Sequence, residues 1–167
     1  AYGYGLAVTP LQLAQAYTVF ANDGRMRTPT LLRVDGEDPL PAAEPVLATP
    51  VARRLASMLE QVVRDDGTAA KAAIPGYRVA GKTGTVRKVG ARGYDEERHI
   101  AWFAGFAPAT APRIAAVVLV NEPNVARSGG GAVAAPVFAR VVAGALRLLA
   151  IPPDAEVLAE DAAAEEG

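Results

Sequence analysis

The sequence predicts a mixed fold of the α/β (α+β) class, in which antiparallel sheet strands are flanked by helices. Three observations predict it. Apolar residues at helical spacing occupy the first third of the chain and its last long segment. From residue 76 onward, three stretches change to β-branched, alternating or continuously apolar texture. The connections between those three stretches hold no helical pattern, and strands joined without a crossover helix pair antiparallel.

The first helix starts at Thr9-Pro10 and runs through "LQLAQAYTVFANDG". Thr9 is a suitable N-cap, and Pro10 stands at the first helical position, where its missing N–H costs nothing. Leu13, Ala16, Tyr17 and Phe20 form the expected buried stripe, and Asn22-Asp23-Gly24 supplies the stop. Residues 28–48 are proline-rich and read as an irregular connection with one extended piece, "TLLRV". Thr49-Pro50 repeats the start signal for a second helix ending near Gly67, with Val51, Leu55, Met58, Leu59 and Val62 on one face.

The strands are expected at about 77–87, 98–108 and 113–121. Ile100, Trp102, Ala104 and Phe106 fall on one side of the second, and "PRIAAVVLVNEP", an apolar run bounded by prolines, reads as a central strand. The segment "RKVGARGYDEE" between the first two reads as a long polar loop at the sheet end. A final helix is predicted over 133–149, packed on one face of the sheet, with Pro136 tolerated in its first turns.

The chain of 167 residues is long enough for one domain with a real core. Its net charge of −1 argues against a general nucleic-acid binder. Residues 154–167 hold six acids and no base, which leaves 17 bases against 12 acids, a net of +5, on the other 153 residues. The domain is therefore placed at 1–150, followed by an acidic, disordered tail over 151–167. There is no cysteine, so disulfides and thiolate sites are excluded; the single histidine, His99, argues against a histidine metal site, and no metal or other cofactor is implied. No run approaches the roughly 20 apolar residues of a membrane span. The chain opens on "AYGYGLAVTP" without a methionine, as a piece of a longer polypeptide would.

The segment "GYRVAGKTGT", residues 76–85, satisfies two signatures at once. From Gly76 it matches the phosphate-loop pattern G-x-x-x-x-G-K-[ST]. From Lys82 it carries the triplet K-T-G of penicillin-binding proteins and serine β-lactamases. A phosphate loop must follow a strand, turn tightly and open a helix at Lys-Thr. Here Pro75 precedes the motif, "YRVA" is strand-like, and Gly84 and Gly90 make a poor helix start. A further reading is a plain strand segment without function.

Two more stretches, "YGYGLAVTPLQLAQAYTVFANDG" and "GGAVAAPVFARVV", resemble the sequences that flank K-T-G in class B penicillin-binding proteins. "AWFAGFAPA" and "PRIAAVVLVNEP" resemble the next two strands of that family, and the match in order and spacing runs from Gly3 to about Leu149. The resemblance is closest to the division-septum branch. It implies the C-terminal portion of the serine β-lactamase/transpeptidase fold and a DD-transpeptidase that cross-links D-Ala-D-Ala stem peptides through a serine acyl-enzyme. It also implies β-lactam binding, possible divisome partners, and a parent protein anchored at the periplasmic face of the inner membrane.

By the same resemblance, Lys82 places positive charge near the substrate carboxylate and the proton-transfer network. The hydroxyls of Thr83 and Thr85 can donate to that carboxylate, and side-chain-free Gly84 lets the strand approach the ligand. The Thr85 backbone N–H is implied as an oxyanion donor, worth about 3 kcal/mol of barrier. Tyr94 and Arg127 are candidate cleft residues, each of which reads equally well as surface charge or surface aromatic. The nucleophile is not in this chain. The two serines, Ser57 before Met-Leu-Glu and Ser128 before Gly-Gly-Gly, fit neither S-x-x-K nor S-x-N. Both motifs, with the N-terminal part of the domain, are expected ahead of Ala1, and the isolated chain is expected to be a non-catalytic piece. His99 reads as a solvated or edge residue with no serine to activate, and Glu96-Glu97 as solubilising charge.

Overall fold

A computed structural model describes residues 6–32, 42–90, 93–124 and 129–155, without the side chains of Glu96 and Glu97. Helix α1 spans Pro10–Ala21. Thr9 caps it with a reciprocal pair: the Gln12 N–H donates to Thr9 Oγ1 at 3.2 Å, and the Thr9 N–H donates to Gln12 Oε1 at 2.8 Å. Asp23 and Gly24 then turn the chain with φ values of 51° and 88°. A Cβ on Gly24 would lie 2.1 Å from the Leu47 carbonyl oxygen, so only glycine fits there.

Two short strands follow, β1 at Arg25–Met26 and β2 at Glu44–Pro45, paired antiparallel. The expected extended piece does not form at Thr30–Leu32, and Arg33 and Val34 lie outside the described residues. Helix α2 covers Thr49–Gln61, ending six residues short of Gly67, and its N-cap is Ala48 rather than Thr49. The Thr49 hydroxyl donates instead to the Asp23 carbonyl at 3.0 Å, while Arg53 clamps the Asp23 carboxylate at 2.8 and 3.0 Å. A tertiary partner has taken the local capping group. A 3-10 turn at Ala70–Ala72 leads to the sheet.

The sheet has three strands in the order β3-β4-β5, each pair antiparallel: Ala80–Gly90, Gly93–Ala107 and Ile114–Asn121. Strand β5, expected as a central strand, is an edge strand among the described residues: it pairs only with β4, and its apolar run reflects helices packed on both faces, which leave most of its residues half-buried. Strand β3 runs straight through Lys82-Thr83, so no helix starts there and the phosphate-loop reading fails. The expected polar loop between the first two strands is instead a hairpin extension. Pairing continues to Gly90 opposite Gly93, with a register shift between Arg87 and Val89. Charge bridges hold this polar end: Glu122, just past β5, accepts from Lys88 of β3 and from Arg98 of β4. These cations hold the Glu122 carboxyl below the usual carboxylate range, the Lys88 hydrogen bond contributing most.

Two short-to-medium helices close the chain, α3 at Gly130–Val133 and α4 at Ala135–Leu148. Helix α4 packs on one face of the sheet, as expected. There Val79, Phe103, Phe138, Val142 and Leu146 form the main core, with Phe103 and Phe138 edge to face at 4.7 Å. Helix α1 lies on the opposite face, where Tyr17 packs with Ala80, Ala104 and Phe106. Burial pushes the Tyr17 phenol up to about 12.

Within the helices the expected stripes are only partly buried. Ala16 is exposed and Val19 buried in α1, while Val51 and Met58 face solvent in α2 and Ala52 is its buried residue. Residues 151–155 of the expected tail are fastened to the body. Ile151 is buried, the Tyr77 hydroxyl donates to its carbonyl at 2.6 Å, and the Asp154 carboxylate accepts from Arg78 N and from Thr110 N and Oγ1. Residues 156–167 lie outside the described residues.

Candidate active site at the edge of the sheet

Strand β3 pairs only with β4, so its other edge is free of a strand among the described residues. Side chains alternate along it. Ala80 belongs to the α1-side cluster and Val79 to the α4-side cluster, which places Lys82 and Gly84 on the α1 side and Thr83 and Thr85 on the α4 side. The motif thus wraps the edge where the two faces meet.

Glycines bring neighbouring elements against this edge. A Cβ on Gly84 would fall 2.0 Å from the Trp102 indole, which lies across the strand at that point. A Cβ on Gly130 would lie 2.2 Å from the Trp102 carbonyl oxygen and 2.8 Å from that of Gly84. The start of α3 is therefore pressed onto the strand, and the Gly130 N–H donates to Thr85 Oγ1 at 3.3 Å. With that acceptor site occupied, the Thr85 hydroxyl keeps its own proton to donate.

The Lys82 ammonium curls round the edge, donating to the Thr83 carbonyl at 2.9 Å and reaching Thr83 Oγ1 at 3.4 Å. Thr68, from the turn after α2, brings a second hydroxyl to 3.3 Å from Thr83 Oγ1. One ammonium and three hydroxyls thus converge on an exposed strand edge, a constellation able to bind a carboxylate through charge and short donors.

A groove of about 690 Å³ runs along this edge on the α1 side. Lys82, Thr83, Gly84 and Thr85 line it, opposite Leu13 and Trp102. Tyr94 lines it too, 53% exposed and opposite Val89 near the hairpin end. Arg127 and Ser128 lie outside the described residues. Ser57 is exposed on α2, and its hydroxyl donates to the Arg54 carbonyl at 2.8 Å. His99 is half-buried in β4 opposite Arg87. No group of acidic or histidine side chains suited to a metal occurs among the described residues.

Sequence reasoning missed Thr68, Trp102 and Gly130 as parts of this site. The run Gly129-Gly130-Gly131 carried a usable signal, since consecutive glycines before a helix permit close backbone approach. Thr68 carried none, because its partner lies fifteen residues away.

Residues 1–143 match the family model of the penicillin binding protein transpeptidase domain. The chain is 44% identical over 153 residues to a protein of Pseudomonas aeruginosa named "Probable peptidoglycan D,D-transpeptidase PbpC". It is 46% identical over 154 residues to the peptidoglycan D,D-transpeptidase FtsI of Escherichia coli. Each alignment covers 92% of this chain and 26% of the relative, so the chain spans about a quarter of their length. Among solved structures, the apo transpeptidase domain of Burkholderia pseudomallei penicillin-binding protein 3 superposes with a TM-score of 0.84 at 44% identity. That match covers 92% of this chain and 46% of the other.

Proposed function

Because this chain belongs to the penicillin-binding protein transpeptidase family, we propose that residues 1–150 are the C-terminal part of a transpeptidase domain in a longer protein, a peptidoglycan D,D-transpeptidase of the cell-division type. The observation that carries this reading is the Lys82-Thr83-Gly84-Thr85 edge, with its ammonium and hydroxyls gathered around a free strand edge. The substrate is the D-Ala-D-Ala end of a stem peptide, and β-lactams are its mimics, since both carry a carboxylate beside an acyl carbon.

In the proposed reaction, a serine from elsewhere in the parent domain attacks the penultimate D-Ala carbonyl. The C–N bond breaks, the terminal D-Ala leaves with the serine proton, and an amine of a second stem then takes the acyl group. This chain supplies the wall that binds and orients. Lys82 and the hydroxyls of Thr83 and Thr85 hold the carboxylate, and the Thr85 N–H faces the developing oxyanion. The free edge of β3 holds the peptide by strand addition. Tyr94 borders the outer cleft, and Arg127, outside the described residues, stays a candidate substrate contact. Divisome proteins are partners of the parent, which works at the periplasmic face of the inner membrane. No described helix is long and apolar enough to cross a membrane.

Acylation kinetics of the full-length parent with a fluorescent penicillin test this reading. Lys82→Ala is expected to slow acylation by about 30- to 1,000-fold, the equivalent of 2–4 kcal/mol, with the fold intact. Lys82→Arg should restore only part, since a guanidinium fork does not reproduce a compact ammonium. Unimpaired acylation by the alanine variant at unchanged stability would remove the functional reading of the edge.

A further inference from the structure

We infer that Thr68 is a positioning residue that fixes the proton direction of the Thr83 hydroxyl, an inference that rests on the transpeptidase reading above. Thr68 lies outside the K-T-G motif, in the turn that links α2 to the 3-10 turn. That turn is held at both sides. The Gly67 N–H donates to the Arg64 carbonyl at 2.8 Å, and the Ala69 N–H donates to the Val62 carbonyl at 2.9 Å. Ala69 is buried in the α4-side core, and a Cβ on Gly67 would lie 2.3 Å from the Val62 carbonyl oxygen. The Thr68 carbonyl in turn abuts α3, where a Cβ on Gly131 would lie only 2.0 Å from it. The Thr68 backbone is therefore pinned between α2 and α3, and its hydroxyl stands 3.3 Å from Thr83 Oγ1.

A hydroxyl has one proton and two lone pairs. At Thr83 the Lys82 ammonium approaches one lone pair at 3.4 Å. In the free site either threonine can be the donor of the pair. A bound carboxylate has no proton to give, so it requires the Thr83 proton for itself. The chain of donors then runs from Thr68 to Thr83 to the carboxylate, and Thr68 donates into the second lone pair of Thr83. The reverse direction would leave Thr83 without a proton for the ligand. Because the Thr68 side chain is exposed, a merely structural role would leave acylation indifferent to its hydroxyl.

The test compares acylation rate constants of the full-length parent carrying Thr68→Val, Thr68→Ser, Thr83→Val and the Thr68→Val/Thr83→Val pair, with Lys82→Ala run alongside. Thr68→Val should slow acylation by about 3- to 10-fold, the scale of one net hydrogen bond. Thr68→Ser should stay within about 2-fold, and the paired variant should be no slower than Thr83→Val alone, with Tm unchanged throughout. A wild-type rate for Thr68→Val, or a paired loss equal to the product of the two single losses, would overturn the inference. If Lys82→Ala is slow while Thr68→Val is normal, only the role of Thr68 falls. If Lys82→Ala acylates normally, the reading of the edge falls with it.

Discussion

Along the motif, the two faces of the sheet are covered to very different degrees. On the α4 side, Phe103, Phe138, Val142 and Leu146 are fully buried, and the α3 start is pressed onto β3 through Gly130. On the α1 side, Ala80, Ala104 and Phe106 are fully buried under the helix, but beside the motif Trp102 is only half-buried, Leu119 is 44% exposed, and the groove of about 690 Å³ stays open. The sealed face fixes the strand, and the open face leaves its chemistry reachable. Lys82 and Gly84 face the open side, while Thr83 and Thr85 project toward the α4 side, where α3 contacts Thr85, and still line the groove, so the motif draws rigidity from one face and access from the other.

The largest break in this contrast should come from the sealed face. Phe138→Ala removes a fully buried ring and its edge-to-face partner, and should cost about 3–5 kcal/mol of stability in urea unfolding. A cost below about 1 kcal/mol would mean that this face is not the stabilising one. Gly130→Ala probes the seam between the faces. Its Cβ has no room beside the Trp102 and Gly84 carbonyls, so α3 must shift, at about 1–3 kcal/mol, with loss of the contact to Thr85. Acylation of the parent should fall in step with stability; a variant that is destabilised yet acylates normally would separate α3 from the site.

Asp154→Ala tests a fastening remote from the groove. Its carboxylate accepts three hydrogen bonds, one from Arg78 just ahead of β3 and two from Thr110 between β4 and β5, so about 1–2 kcal/mol should be lost with acylation unchanged. The smallest effect concerns Glu122. Its folded pKa is depressed, so its contribution is present above the ordinary carboxylate range and is lost as pH falls through the folded value. Glu122→Gln should therefore lower stability slightly at neutral pH and flatten its acid dependence, as read from Tm against pH. A variant with the wild-type acid limb would assign that limb to other carboxylates.

Much of this architecture is legible in the chain because it is local. Thr9-Pro10, the Asn22-Asp23-Gly24 stop and the apolar run of β5 each depend on neighbours in sequence. The misreadings share a cause in distant partners. Polar residues after Arg87 suggest a loop, yet the hairpin persists because Lys88 and Arg98 meet Glu122 across three strands. Thr49 looks like a cap, yet its hydroxyl is taken by Asp23, 26 residues earlier. Within the site, Lys82 to Thr85 is recognisable as a string, whereas Thr68 enters only through folding.

The most direct test of the central claim is to ask where a penicillin becomes attached. The claim is that this chain supplies the carboxylate-binding wall of an acyl-enzyme while the nucleophile lies elsewhere in the parent. Fluorescent penicillin is added to the full-length parent and to the 167-residue chain, followed by denaturing gel fluorescence and peptide mapping. The account predicts a stable adduct on the parent, at a serine outside these residues, and none on the chain alone. An adduct mapped to Ser57 or Ser128 would contradict it.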